Sequence, residues 1–376
     1  MAPYFITFIL STVLVYLGEK SRNKNNRYYY IFFIFAVLVV SILAGVRDLN
    51  IGTDVYTYGE WEFKAAKELT SITQALSRKS EIEPFYRLFV YLVSRFANDS
   101  HWLYFCTGFF IYGFTLAGLN YYYKKISIPF AWLVYLLLYY GDTLNIMRQF
   151  MAISLMFWGF KFGIERKYKK FFAVFIVAFM FHNTAIIFLG IYWIYRYLQK
   201  NDVLYKKILI VLGSMVVLLS YGYLLRILSS LGIVNDRFER YLNAGFIFQL
   251  NPFIVRIPFI ILIGMVFYRF YHNKPNRMKP LEGKFEADFL LIALILEMFT
   301  AEMRAVLPTL YRFSYFFFAF KSIAYTRLLV VFSKKSRLFV GLGIIAFLVV
   351  WWIYGNAIQG NNQIYPYTST ILGIGK

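Results

Sequence analysis

A chain of 376 residues that is 60% hydrophobic and 22% aromatic, with 16% charged residues, is too apolar for a soluble domain and has the composition of a polytopic membrane protein. A formal charge of +21 would suit a nucleic-acid binder, but lysine and arginine also collect in the cytoplasmic loops of membrane proteins, so their distribution must decide. The one cysteine, Cys106, has no second thiol to pair with and reads as a small packed hydrophobe.

Apolar runs approaching twenty residues predict an all-α protein of about twelve transmembrane helices. The first run, 3–17, lacks a basic region before it and a small-residue cleavage site after it, so it is expected to be a retained span and not a signal peptide. The second covers 28–46. Runs at 101–123, 128–141, 145–163, 170–182 and 184–199 follow, the last two separated only by the break in "FHNTA". The remainder are 205–231, 252–271, 287–306, 309–326 and 338–354, and the fourth, sixth and seventh of the whole series are short.

Every odd-numbered run ends in a basic loop. Lys20, Arg22, Lys24 and Arg27 follow the first, Lys124 and Lys125 the third, and Arg166, Lys167, Lys169 and Lys170 the fifth. Lys200, Lys206 and Lys207 follow the seventh, Lys274, Arg277, Lys279 and Lys284 the ninth, and Arg327, Lys334, Lys335 and Arg337 the eleventh. This pattern predicts cytoplasmic loops at all six places and both termini outside, and it accounts for the net charge without nucleic acid.

Two longer loops, about 47–100 and 232–251, then fall outside. In the first, Trp61, Ala65, Leu69, Ile72 and Leu76 recur at helical spacing, which predicts an amphipathic helix in the membrane interface. The following "PFYRLFVYLVSRF" is too short to span and reads as interfacial or re-entrant. With no repeat, linker or low-complexity tract, residues 1–376 are expected to form a single integral domain.

Six ionisable residues fall at the outer ends of these helices: Arg47, Arg148, His182, Glu302, Arg304 and Arg312. Charge at that depth either snorkels to the interface or faces a cavity or a partner, and several on one side favour a shared site. Arginine stays charged at any depth and grips phosphate in a bidentate fork, so converging arginines suit a diphosphate. Asp54 and Glu83 could accept a proton from an attacking hydroxyl, or form loop ion pairs with an arginine such as Arg78 or Arg87. His182 could cap its helix, donate to phosphate or act as a base. No His or Cys cluster has metal-ligand spacing, and neither "DLNIGTD" nor "NDRFER" is a close Asp-x-Asp pair, so the chemistry is expected to need no metal or cofactor.

The ordered blocks "GVRDLNIGTDVYTY", "EPFYRLF", "NIMRQFMAISLMFWGF", "FMFHNTAIIF" and "YRFSYFF", with the Pro-Tyr at Tyr367, resemble the EpsG-like and Wzy-type bacterial polysaccharide polymerases. Arg47, Gly52, Thr53, Asp54 and Tyr58 match the first block, Glu83 the second, Arg148 and Gln149 the third, His182 and Asn183 the fourth, and Arg312 and Tyr315 the fifth.

The resemblance implies a multi-pass enzyme of the bacterial cytoplasmic membrane with its active site outside. It would join undecaprenyl-diphosphate-linked oligosaccharide repeat units into O-antigen, capsule or exopolysaccharide and release undecaprenyl diphosphate, in company with a chain-length regulator protein. In that scheme Arg148 and Arg312 hold the diphosphate, with Arg47 and Arg304 beside them. Asp54 is the first choice of base and Glu83 the second, and His182 could serve either role. Thr53, Tyr58, Gln149, Asn183 and Tyr315 line the substrate, and Tyr56, Tyr58 and Trp61 offer rings on which sugars stack. A flippase for the same lipid would line a path through both leaflets, whereas these charges gather on one side. A membrane acyltransferase would want a deep histidine with a serine or aspartate partner, which His182 beside Asn183 matches weakly.

Overall fold

The computed structural model describes residues 1–22, 26–78, 80–201, 203–230, 260–261, 263–265, 280–303 and 310–375. These are mostly helical, with no strand among the described residues and one isolated bridge between Ser369 and Ile374. They fall into two compact units, Met1–Ile186 with Lys334–Lys376, and Ile187–Ser333.

In the first unit α1 (Ala2–Ser21) pairs along α2 (Asn26–Gly45), which packs on α6 (His101–Asn120). Helix α6 meets α8 (Met147–Ile164), α8 meets α9 (Tyr168–Phe181), and α7 (Ile128–Asn145) lies against α1 and α14 (Lys334–Trp352). Four helical stretches are long and apolar enough to cross a bilayer: Ala2–Ser21, Arg27–Gly45, His101–Asn120 and Lys335–Ile358. This is a membrane protein, but four spans among the described residues is a smaller number than the twelve expected. One reason is length: α9, like α10 (Ile187–Lys200) of the second unit, has 14 residues. At 1.5 Å per residue that is ~21 Å, short of a ~30 Å hydrocarbon core. The expected ninth helix, 252–271, and the loop 232–251 lie almost wholly outside the described residues.

Buried hydroxyls and an indole tie the helices of this unit together. Trp132 Nε1 donates to Ser11 Oγ at 2.9 Å, and Ser11 donates onward to the Ala36 carbonyl at 2.7 Å. Tyr140 donates to the Val40 carbonyl at 2.9 Å. An apolar solvent offers such groups no alternative partner, so each bond also fixes which helices meet. At one end of the unit the Arg22 guanidinium sits 4.0 Å from the centres of the Tyr29 and Tyr123 rings, so the two basic loops after α1 and α6 share that end.

Between α2 and α6 the chain forms a small folded module. A π-helical turn, Val55–Glu60, leads into α3 (Trp61–Glu68), followed by α4 (Ile72–Ser77) and α5 (Pro84–Phe96). The single amphipathic helix expected over 61–76 is therefore divided. Leu69 turns extended at ψ 138°, and the Ser71 side chain caps α4 by accepting from the Gln74 N–H. Arginines hold the module together. Arg95 donates to the carbonyls of Ala66 at 2.6 Å and Leu69 at 3.0 Å, where α3 runs out of helical partners. Arg87 donates to the Leu76 and Arg78 carbonyls, and Arg78 pairs with the buried Glu62.

After α14 a π-helical turn, Ile353–Ile358, and a short 3-10 helix, Asn361–Gln363, bring the chain back across the loop that follows α2. Tyr4 donates to the Ile364 carbonyl at 2.7 Å, Tyr367 to the Leu43 carbonyl at 2.9 Å, and Ser369 to the Val46 carbonyl. The Asp48 N–H reaches the Thr368 carbonyl at 3.1 Å, and the Thr370 N–H reaches the Asp48 carboxylate at 2.7 Å. Burial pushes the Asp48 carboxyl upward, but hydrogen bonds from Thr370 and Thr368 outweigh it and hold it below the usual carboxylate range, so this latch stays charged at neutral pH.

The second unit contains α10, α11 (Leu204–Ser230), α12 (Pro280–Glu302), a 3-10 stretch Leu310–Phe317, and α13 (Phe318–Val331). Its acids and bases meet on α12: Glu297 with Lys321 at 3.1 Å, Glu286 with Arg327 at 3.1 Å, and Asp288 with Lys207 at 2.5 Å. Glu297 and Lys321 are both buried. Their pairing was not expected from the sequence, which draws attention to charges at helix ends and passes over two lying inside separate apolar runs.

Candidate active site

The site is organised by the break between α7 and α8, where Ile146 leaves the helical path and α8 starts at Met147. Asn145, buried at the end of α7, donates through Nδ2 to the Asn362 carbonyl at 2.8 Å and accepts from the Thr53 hydroxyl at 3.4 Å. Gly52 lies against it with φ at 105°, its N–H donating to the Gln363 carbonyl at 3.2 Å. A Cβ on Gly52 would stand 2.7 Å from Asn145 Oδ1 and 2.8 Å from Val55 Cγ2. Both the left-handed backbone and the space therefore require glycine. Gly52→Ala is expected to lower stability by about 1–3 kcal/mol, read as a lower thermal midpoint in detergent; an unchanged midpoint would remove this account of the Gly-Thr-Asp turn.

One turn along, at the start of α8, Arg148 points back to the module. Its guanidinium donates to the Glu83 carboxylate and lies over the Tyr58 ring at 4.6 Å and the Tyr86 ring at 6.0 Å. Glu83 holds the N-cap position of α5 without using its side chain as the cap, which leaves the carboxylate turned to Arg148. The other Glu83 oxygen is 3.9 Å from His182 Nδ1. His182 sits in extended backbone just past α9, where its Nδ1 accepts from the Thr184 N–H at 3.3 Å. That bond places the proton of a neutral ring on Nε2; a protonated ring would turn a second positive charge on Glu83. Three residues separated widely in sequence thus form one cluster, Arg148–Glu83–His182, each with 14–17% of its side chain exposed.

The other expected residues are disposed differently. Arg47 is 1% exposed and donates to the Leu144 carbonyl at 2.9 Å, with its guanidinium 4.9 Å from the centre of the Tyr104 ring. Among the described residues no carboxylate pairs with it and its Nε has no partner. The sequence reading sets it beside a diphosphate; in the structure it is enclosed within the protein and braces the end of α7. Asp54 is half-buried at the start of the π-helical turn, its carbonyl accepting from the Tyr58 N–H at 3.0 Å. The carboxylate that Arg148 holds is Glu83 and not Asp54, and Arg78, proposed as a loop partner for these acids, holds Glu62. Thr53 and Asn183 are exposed, Tyr58 is half-buried and Gln149 is buried. Arg312 and Tyr315 lie in the 3-10 stretch of the second unit, near the buried end of α12 at Glu302, and Arg304 lies outside the described residues.

Sequence reasoning missed Asn145, Tyr86 and Tyr104. Asn145 and Tyr86 stand inside blocks already singled out, and an amide at a helix break is a recognisable signal; Tyr104 carries none, being one aromatic among many in an apolar helix. Chemically, the cluster offers a fixed guanidinium backed by two aromatic faces, a carboxylate it neutralises, and an imidazole within reach of that carboxylate. Such a set can bind an oxyanion and receive a proton. Among the described residues no three His, Cys, Asp or Glu side chains are grouped so as to hold a metal ion.

The model of the EpsG family matches residues 30–369, nearly the whole chain and every block that builds this cluster. No curated protein and no solved structure matches.

Proposed function

The chain belongs to the EpsG family, with the polysaccharide-polymerase-like role of that family, and from this premise we propose that it polymerises undecaprenyl-diphosphate-linked oligosaccharide repeat units at the outer face of the cytoplasmic membrane. The observation that carries the reading is the Arg148–Glu83–His182 cluster.

In the resting state Glu83 neutralises Arg148. An incoming diphosphate, with more charge and more acceptor oxygens, competes for the guanidinium and loosens the carboxylate. Glu83 then takes the proton of the acceptor hydroxyl as that oxygen attacks the anomeric carbon of the growing chain. The carbon–oxygen bond to the diphosphate breaks, and its electron pair leaves on the diphosphate oxygen. Arg148 stabilises the charge that develops there, a task a fixed cation in a water-poor site performs without a divalent ion. His182 relays the proton from Glu83 to solvent or donates to phosphate. Arg312 enters this scheme from the sequence resemblance alone, and Arg47 acts by bracing the end of α7 next to Arg148.

The test is a reaction of purified protein with undecaprenyl-diphosphate-linked repeats in the presence of chelator. A ladder of lengthened chains with matching release of undecaprenyl diphosphate is expected; single repeats at all times would refute the polymerase assignment. The buried Glu297–Lys321 pair favours one second reading, passage of a charged headgroup through the second unit. Movement of the lipid-linked repeat across vesicles, without lengthening, would establish that reading in its place.

A further inference from the structure

We propose that the face of the first unit formed by α6, α8 and α9 is the seat of the isoprenoid tail of the lipid-linked substrate, a proposal that rests on the diphosphate reading of Arg148. An unbroken run of touching aromatic rings starts at the cluster and follows this face. Phe85, two residues after Glu83, packs on Phe181, the neighbour of His182, with centroids 6.1 Å apart. Phe181 meets Phe110 at 5.2 Å, Phe110 meets Phe114 at 4.7 Å, Phe114 meets Trp158 at 5.3 Å, and Trp158 meets Phe162 at 5.2 Å. The run ends where Lys161 lies over both Trp158, at 4.4 Å, and Phe162, at 5.0 Å. Arg148 and Phe162 stand on the same helix, so the run extends ~21 Å from the anion-binding arginine into a hydrocarbon core of ~30 Å.

Two features separate this face from ordinary lipid-exposed surface. Its rings are recessed: Phe181 is buried and the rest are half-buried, whereas apolar side chains such as Ile9, at 61%, and Phe339, at 73%, stand well out of their helices. Small residues also open space between the rings on α6. Cys106, Gly113 and Ala117 share the helical face of Phe110 and Phe114, and a Cβ built on Gly113 meets no atom within 4 Å. A strip that gathers Phe85, Phe89 and Phe181 beside the Arg148–Glu83 pair and narrows below Phe110 to a single file of rings accepts a single methyl-branched unsaturated chain whose head is a diphosphate. A bilayer phospholipid with two acyl chains suits it less well.

The protein in nanodiscs would be photolabelled with undecaprenyl diphosphate carrying a diazirine in its tail, and separately with a diazirine phosphatidylcholine. Labelling by the polyprenyl probe is expected on peptides containing Phe110, Phe114 or Trp158 and should be displaced by unlabelled undecaprenyl diphosphate. Equal labelling by both probes without displacement means bulk lipid only and overturns the proposal. In parallel, Gly113→Trp and Phe114→Ala are expected to lower, by about tenfold, the ratio of kcat/KM on an undecaprenyl-linked repeat to that on a geranyl-linked repeat. A ratio unchanged in both well-expressed variants also overturns it. If the wild-type protein lengthens neither substrate while displaceable labelling persists, the tail site stands and it is the polymerase reading that falls.

Discussion

Arg148→Ala is expected to collapse the product ladder to single repeats and to lower kcat/KM by about 10²–10³-fold, the loss that follows removal of one preorganised donor to a developing oxyanion. Two effects combine. The leaving diphosphate loses its fixed counter-charge, and Glu83, with only 14% of its side chain exposed, loses the cation that neutralises it. Arg148→Lys separates charge from shape. An ammonium keeps the charge but offers neither a planar face to lie 4.6 Å over the Tyr58 ring nor a fork for two phosphate oxygens. The lysine variant should therefore recover only a small part of the lost rate. Rates near wild type in either variant, at matched protein levels on detergent size exclusion, would exclude Arg148 from the diphosphate.

The second large effect is expected at Glu83. Glutamine retains the size of the side chain and can still accept from Arg148, but it cannot take a proton at neutral pH. Glu83→Gln is expected to cut turnover by about 10²–10⁴-fold, the usual contribution of a positioned base, while the affinity for lipid-linked substrate holds or rises because Arg148 is no longer neutralised. Glu83→Asp should fall between the two. Asp54→Asn belongs in the same series: the family resemblance makes Asp54 the first choice of base, whereas contact with Arg148 and nearness to His182 favour Glu83. A silent Glu83→Gln beside an inactive Asp54→Asn would reverse that ranking.

Much of the helical framework was legible because hydrocarbon imposes its own rule: every buried backbone group must be bonded within its own segment, so apolar runs become helices. Arg148 and His182 could be singled out for the same reason, as costly residues at helix mouths, and Glu83 as an outer-loop carboxylate able to accept a proton. That Arg148 would take Glu83, 65 residues away, in preference to Asp54 was not legible. Periodicity reports the face of a helix and carries no information about its partner. The same limit hid the Glu297–Lys321 pair, whose members lie in different helices, and the enclosure of Arg47, which depends on Tyr104 and Leu144 arriving from two others. The division of the expected 61–76 helix was hidden differently, since Leu69 and Ser71 are ordinary helix residues until Ser71 caps the next segment.

The return of the C-terminal tail over the loop after α2 has a temporal consequence. The bonds that fix Val46 and Asp48 come from residues 322–323 positions further along the chain. At synthesis rates of about 5–20 residues per second those partners emerge on the order of tens of seconds after the loop itself. Throughout that interval the Gly-Thr-Asp turn lacks its clamp at Gln363, and Asn145 lacks its acceptor at Asn362. The wall of the proposed site formed by Gly52 and Asn145 is thus closed only after α14 has been made, so that a chain stalled before Asn362 is inserted without that closure.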